Sequence, residues 1–159
     1  MAVQKTDIYV YADWQDLESP ILMGVLSAYQ AKGRKAFSFS YDNLWLKSGH
    51  HHQLDPNLHL FAGPQFANDK ENFGLFLDSM PDTWGRTLMK RREAQLAKIK
   101  GEKAKTLYDI DFLLGVYDET RMGALRFKLD PKSDFLDNDT EKATPPWSTV
   151  CLLYTSDAA

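Results

Sequence analysis

Apolar and polar residues alternate in two segments near the start of the chain, DIYVYADW at 7–14 and RKAFSFSYD at 34–42. The large side chains at alternate positions are Ile8, Val10, Phe37, Phe39 and Tyr41. A period of two is typical of strands that bury one face, so both segments are predicted to be β-strands. The intervening PILMGVLSAYQAKGR favours a further strand, and Lys32-Gly33 would close the turn of a hairpin over 20–41.

The next thirty residues carry weaker signals. NLWLKSG at 43–49 predicts one helical turn, for which Asn43 is a suitable cap. From 50 to 72 the proline and glycine residues indicate a loop, and 63–72 shows no period of either kind.

A helical pattern begins in FGLFLDSMPDTWGRTLMKRR at 73–92. Its first apolar face consists of Phe73, Phe76, Leu77 and Met80. Ser79 and Asp82 have the spacing of a capping box, which predicts that one helix stops and another starts in a new direction at Pro81. The segment is therefore predicted to be a helical elbow.

The second helix of this elbow has an apolar stripe of its own, made of Trp84, Leu88, Leu96 and Ile99. We expect this stripe to be buried, with Asp82 and Arg86 paired on the helix surface. Glycine weakens a helix, so Gly85 suggests that another backbone approaches beside the Trp84 ring. The alternative is that Trp84 is an exposed anchor for a partner, a common role for aromatic residues at interfaces.

A third helix and a returning strand follow. Thr106 is a candidate cap with Asp109 three residues later, and Gly115 is expected to end the helix with a positive φ. The apolar face of this helix would comprise Leu107, Ile110, Leu113 and Leu114. ALRFKL at 124–129 alternates as a strand. Together these elements predict an α+β fold, with a small N-terminal antiparallel sheet, a helical segment and a returning strand.

Composition and charge narrow the class of protein. The 159 residues are 43% hydrophobic and 26% charged, as in a soluble globular domain, and the net charge of −3 argues against general nucleic-acid binding. Residues 90–105 are the exception, with seven Lys or Arg against two Glu, a local charge of +5. This stretch is interpreted as a solvated helix face and a mobile loop, with binding of phosphate or an acidic partner as the alternative.

Candidate chemistry is scarce. Adjacent histidines His50, His51 and His52, with His59 nearby, do not naturally converge on one metal ion, so a surface loop is the preferred interpretation. No glycine-rich phosphate loop is present. Cys151 is the single cysteine, which excludes an internal disulfide framework. No apolar run approaches a membrane span and the first residues lack the form of a secretory signal, so we expect a cytoplasmic protein without catalytic, cofactor or metal residues.

The elbow segment and the later YDIDFLLGVYDETRMGALRF resemble the N-terminal region of the HipA family, and the resemblance covers roughly residues 7–147. These are serine/threonine kinases that form the toxin half of type II toxin–antitoxin systems. LDPNLHLFAGPQF at 54–66 also resembles the family. The matching positions are Asp78, Ser79, Pro81, Asp82, Trp84, Gly85, Arg86, Asp109, Leu113, Leu114, Gly115, Gly123, Ala124 and Leu125.

The resemblance implies the first, non-catalytic part of a two-part kinase. The family's phosphate loop, catalytic aspartate and metal-binding aspartate lie further along its chain, so ATP and magnesium are expected only for the full-length parent. The implied partners are the C-terminal kinase region and a helix-turn-helix antitoxin, with DNA reached only indirectly and no membrane. The alternative is a free-standing module that binds protein or DNA through residues 90–105.

The resemblance also suggests how the chain is divided. Residues 1–130 are expected to form the HipA-like N-terminal domain, and 131–147 a linker or the start of the next segment. STVCLLYTSDAA at 148–159 resembles nothing in the family and is interpreted as an aberrant terminus, with a short C-terminal strand as the alternative.

Overall fold

A computed structural model describes residues 4–31, 34–50, 52–67, 72–116 and 124–136 of the chain. Its centre is a five-stranded antiparallel sheet in the order β4-β3-β2-β1-β5. The strands are β1 (Gln4–Ala12), β2 (Ile21–Ala31), β3 (Arg34–Tyr41), β4 (Gln65–Phe66) and β5 (Leu125–Lys128). The helices are α1 (Asn43–Lys47), α2 (Gly74–Asp78), α3 (Thr83–Lys100) and α4 (Asp109–Leu114). The predicted α+β class is confirmed, including the returning strand.

The alternating pattern determines which side chains enter the core. Ile8 and Val10 of β1 are fully buried, and so are Phe39 of β3 and Phe127 of β5. Register explains this, because Ile8 lies opposite Leu26 and Val10 opposite both Gly24 and Phe127, which places all of them on one face of the sheet. The predicted hairpin is present, since Ala31 pairs with Arg34, while its turn at 32–33 lies outside the described residues.

Short helices and loops cover this inner face. Trp45 of α1, Leu58 of the following loop, Phe76 of α2 and Leu113 of α4 are fully buried in the same cluster as the sheet residues. Helix α3, although the longest, adds no residue to that cluster, and its one buried residue is Ala97. The described core cluster therefore contains no residue of the helix that carries most of the basic segment.

Two local predictions were wrong. Helix α1 is capped by Asp42 and not by Asn43, because the Asp42 carboxylate accepts hydrogen bonds from the amides of Leu44 and Trp45 at 2.8 and 3.4 Å. The supposed loop at 50–72 contains β4, which is only two residues long and pairs with Ser38 and Phe39. A strand of that length has no period to detect.

Asp55 fastens this loop to α2. Its buried carboxylate accepts hydrogen bonds from the Asn57 amide at 2.8 Å and from the Leu75 amide, in the first turn of α2, at 2.9 Å. The N-cap residue of α2, Phe73, has no side chain that could do so. A residue 20 positions away thus supplies the capping oxygen, and the loop and helix are held together.

Tyr41 lies near this carboxylate at the end of β3. Its hydroxyl is buried and has no hydrogen-bond partner among the described residues. Burial first, and then the negative charge of Asp55, raise the pKa of the Tyr41 hydroxyl from 10.0 to about 12. The folded state therefore holds this proton more tightly than the unfolded chain does.

We expect Tyr41→Phe to change the alkaline stability profile. The contribution of the tyrosine proton is complete below pH 10 and is lost as the pH rises through 10 towards about 12, so wild-type stability falls in that window. The variant should match or slightly exceed wild type at pH 7, because it removes a buried hydroxyl without a described partner. Above pH 10 its free energy of unfolding, measured in urea, should fall less steeply. Identical alkaline profiles would contradict the environment described for Tyr41.

Candidate functional site

The elbow between α2 and α3 is present, but its caps differ from the prediction. Ser79 ends α2, and its hydroxyl donates to the Leu75 carbonyl at 3.1 Å. Asp82 alone caps α3, accepting from the Gly85 amide at 2.7 Å. The predicted capping box from Ser79 to Asp82 is therefore wrong. Pro81 stands just before the cap, where it separates the two helices.

Arg86 joins α3 to the elbow and to α4. Its guanidinium forms an ion pair with Asp109 at 3.0 Å, and its Nε donates to the Pro81 carbonyl at 3.2 Å. The same group lies 5.1 Å from the centre of the Phe112 ring and 3.5 Å from the Met80 sulfur. The predicted surface pair between Asp82 and Arg86 is therefore wrong. Asp82 caps α3, and the Arg86 guanidinium forms its ion pair with Asp109.

Two glycines, one in the elbow and one at the end of α4, lie where nearby atoms leave no room for a side chain. A Cβ at Gly85 would lie 2.8 Å from the Pro81 ring and 3.2 Å from the Asp82 carboxylate, so the crowding is local and does not come from another backbone as predicted. At Gly115, φ is −89°, which contradicts the predicted positive value. A side chain there would collide with the Met89 methyl group and the Asp111 carbonyl. Gly115 is therefore the point where α4 approaches α3.

The apolar stripe of α3 faces outward, which overturns the prediction of a buried stripe. Trp84 is 48% exposed, Leu96 42% and Ile99 81%. Leu88 is half-buried. The inner side of the helix instead carries Ala97, together with the Arg86 and Met89 contacts to α4. We call Trp84, Leu88, Leu96 and Ile99 the apolar face of α3.

The helix that carries this face is strongly basic. Helix α3 holds six Lys or Arg and one Glu, a net charge of +5 within a chain whose net charge is −3. All seven basic residues of the segment 90–105 are exposed, as the solvated-face interpretation predicted. The helix ends at Gly101, whose left-handed φ of 69° suits a glycine C-cap. The charge is thus concentrated on the helix that also exposes apolar side chains.

The cap of helix α4 lies two residues later than predicted, at Tyr108 and not at Thr106. Thr106 does not cap it, since α4 starts after Tyr108, whose amide donates to the Asp111 carboxylate at 2.9 Å. Phe112 and Leu113 are its buried residues, whereas the prediction had omitted Phe112. That omission matters because the Phe112 ring lies beneath the Arg86 guanidinium.

Apart from Gly115, where α4 approaches α3, the candidate site residues chosen from the sequence fall into three groups. Pro81, Arg86 and Asp109 come together in one contact network, with Ser79, Asp82 and Gly85 at the adjoining helix ends. Asp78 is exposed at the end of α2, and Trp84 is on the apolar face. Gly123 lies outside the described residues. Met89, Phe112 and Asp55 were missed, since their contacts join segments far apart in sequence.

The histidine loop shows no metal geometry in the part of the chain that is described. His50, His52 and His59 are exposed, and no group of three His, Cys, Asp or Glu there could hold an ion. His51 and Cys151 lie outside the described residues. Within the same residues, no helix is both long and apolar enough to cross a bilayer.

No family model, curated protein or solved structure matches the chain. Its role is therefore inferred from the geometry of α3 and its neighbours, together with the motif residues that carry the family resemblance.

We expect two neighbouring substitutions on α3 to differ sharply in stability. Trp84→Ala should cost no more than about 1 kcal/mol, since half of the ring is already in water. Arg86→Ala should cost about 2–3 kcal/mol, because it leaves the Asp109 side chain, only 14% exposed, without its charged partner. Urea unfolding measures both. A cost of about 3–5 kcal/mol for Trp84→Ala, typical of a core aromatic, would restore the buried-stripe hypothesis.

Proposed function

We propose that this chain is the N-terminal, non-catalytic part of a HipA-like serine/threonine kinase toxin. In this role it packs on the kinase region of the parent protein and helps to bind a helix-turn-helix antitoxin. DNA would be contacted only through the antitoxin, and the working location would be the cytoplasm.

The observation that carries the proposal is the exposed apolar face of α3. Its four large side chains lie on one side of an 18-residue helix, while the core of the domain closes without them. Large apolar side chains grouped on one side of a helix mark interaction sites more often than single exposed residues do. Tryptophan is also among the residues that contribute most at protein interfaces.

The contacts of the motif residues support a role in holding α3 in place on the domain. Arg86 and Asp109 tie α3 to α4, and Pro81 and Asp82 determine where α3 starts. These positions carry the resemblance to the kinase family, and their contacts hold the helix from its inner side. A helix held in this way presents its outer face with little freedom, which lowers the entropy cost of docking.

The chemistry of the parent would then reside elsewhere. Phosphoryl transfer needs a phosphate-binding loop, metal-binding carboxylates and a catalytic base in one place. The resemblance assigns these groups to the kinase region that follows, so ATP and magnesium would bind there. The N-terminal part would supply a protein-binding surface.

A free-standing interaction module is the second candidate, and the exposure of all seven basic residues at 90–105 favours it. No aromatic residue lies within that segment to stack on bases, so a protein partner fits better than single-stranded nucleic acid. Duplex DNA binding with a steep salt dependence would favour this second function.

We expect the chain to co-purify with the kinase region encoded after it when the two are expressed as separate polypeptides. Trp84→Ala should weaken the complex, because it removes the largest side chain of the apolar face. The matched control is Leu44→Ala on α1, which removes an exposed apolar side chain, 76% accessible, from a different helix. Equal retention of wild type and Trp84→Ala would contradict docking through α3, and the absence of any kinase-like coding sequence downstream would contradict the family assignment.

The purified 159-residue chain should show no saturable ATP–Mg²⁺ binding in calorimetry and no autophosphorylation. Binding at micromolar ATP would overturn the non-catalytic role. The isolated kinase region is the positive control, since it should bind the nucleotide under the same conditions.

A further inference from the structure

A cleft lies between the sheet and helix α4. Its volume is about 540 Å³, which is within the range of small-molecule sites, about 300–1,000 Å³. Ala28 and Phe37 line it from the sheet, and Ile110 and Leu114 line it from α4. Among the described residues, none of α3 contributes to its lining. The cleft is therefore a second candidate site, and much of its lining is apolar.

The lining also has a polar part. Lys105 and Thr106 line the cleft from the segment before α4, Asp111 from the first turn of that helix, and Thr6 from β1. One Asp111 oxygen accepts a hydrogen bond from the Lys105 ammonium at 2.6 Å, and the other accepts from the Tyr108 amide at 2.9 Å. The Asp111 side chain is only 18% exposed, whereas that of Lys105 is 64% exposed. An ammonium has three donors and Asp111 uses one of them, so the capacity left beside the cleft is chiefly for donating hydrogen bonds.

The pair of Lys105 and Asp111 has no net charge. A ligand carboxylate drawn to Lys105 would be repelled by Asp111, whose oxygen lies 2.6 Å from the ammonium, and a ligand cation would meet the reverse. Either ion would also lose part of its hydration on entering an apolar cleft. An uncharged carbonyl oxygen loses less and still accepts a charge-assisted hydrogen bond from the ammonium. The lining therefore favours a ligand without charge.

We propose that this cleft binds an uncharged small molecule with an apolar body and a carbonyl or carboxamide oxygen at one end. The oxygen accepts a hydrogen bond from the Lys105 ammonium, and the hydroxyl of the exposed Thr106 is a second donor. The apolar body packs on Phe37, Ile110 and Leu114. An aromatic ring suits that position, because edge or offset contacts with the Phe37 ring add to the effect of burial. This inference does not rest on the proposed function, since the cleft and the apolar face of α3 share no residue.

Three probes of similar shape and different charge test the proposal: 3-phenylpropanamide, 3-phenylpropanoate and 3-phenylpropylammonium. Each is titrated at pH 7 into the full 159-residue chain labelled with ¹⁵N, and binding is followed by the chemical shifts of the backbone amides. We expect 3-phenylpropanamide to shift residues that line the cleft, saturably and with a dissociation constant of a few millimolar, as is usual for a fragment of about ten non-hydrogen atoms. Both ions should bind at least about threefold more weakly.

Three results would overturn the proposal. They are tighter binding of either ion than of 3-phenylpropanamide, shifts confined to other parts of the chain, and no saturation by 3-phenylpropanamide.

Two lysine variants locate the contact. Lys105→Met nearly keeps the length of the side chain but removes its donors, so 3-phenylpropanamide should bind at least about threefold more weakly. The same change leaves the Asp111 carboxylate without its cation, so the affinity for 3-phenylpropylammonium should rise at least about threefold. The control Lys103→Met makes the same change in net charge outside the lining and should leave both affinities within about twofold. The backbone-amide spectrum of each variant reports its fold, and unchanged affinities in Lys105→Met would contradict the assigned site.

Discussion

The contact between Arg86 and Asp109 determines how the longest helix is attached to the domain. Helix α3 contributes a single buried residue, Ala97, and adds nothing to the apolar cluster beneath the sheet. Its position therefore depends on polar and close-packed contacts along its inner side. Arg86 provides most of them, since it reaches α4 through Asp109 and Phe112 and the elbow through the Pro81 carbonyl. The Met89 side chain packed on Gly115 completes the attachment.

This attachment decides which side of α3 faces solvent. With Arg86 and Ala97 turned inward, the apolar face lies on the opposite side of the helix and stays exposed. An ion pair that is partly removed from water, as this one is, contributes little net stability compared with apolar packing, but it can specify one arrangement among several. Here the ion pair favours the orientation in which the apolar face of α3 is exposed.

Much of the sheet could be predicted from the sequence, because alternation in β1 and β3 is a local signal that survives in any context with one buried face. The positions of the helices were also predictable, although their caps were not. Asp82 and Asp42 outcompete Ser79 and Asn43 as caps, and Asp55 caps α2 from 20 residues away. Such choices depend on tertiary geometry that spacing along the chain does not contain.

The apolar face of α3 is a second case in which sequence spacing did not contain the tertiary geometry. Periodicity identified Trp84, Leu88, Leu96 and Ile99 as one stripe, and that grouping was correct. Assigning it to the core was wrong, because the inward side is determined by an ion pair that spans 23 residues and by a glycine that admits Met89. An apolar stripe on a helix indicates a packing surface, but periodicity does not tell whether it packs on the domain's own core or on another protein.

The orientation of α3 is tested most directly by the rate at which single cysteines on it react with a thiol reagent, after Cys151 is replaced by serine. Cysteine at Ile99 should react almost as fast as a free thiol, and cysteine at Ala97 should react far more slowly, since these positions are 81% and 6% exposed. The reverse order, or equal protection at both positions, would contradict an outward-facing apolar stripe.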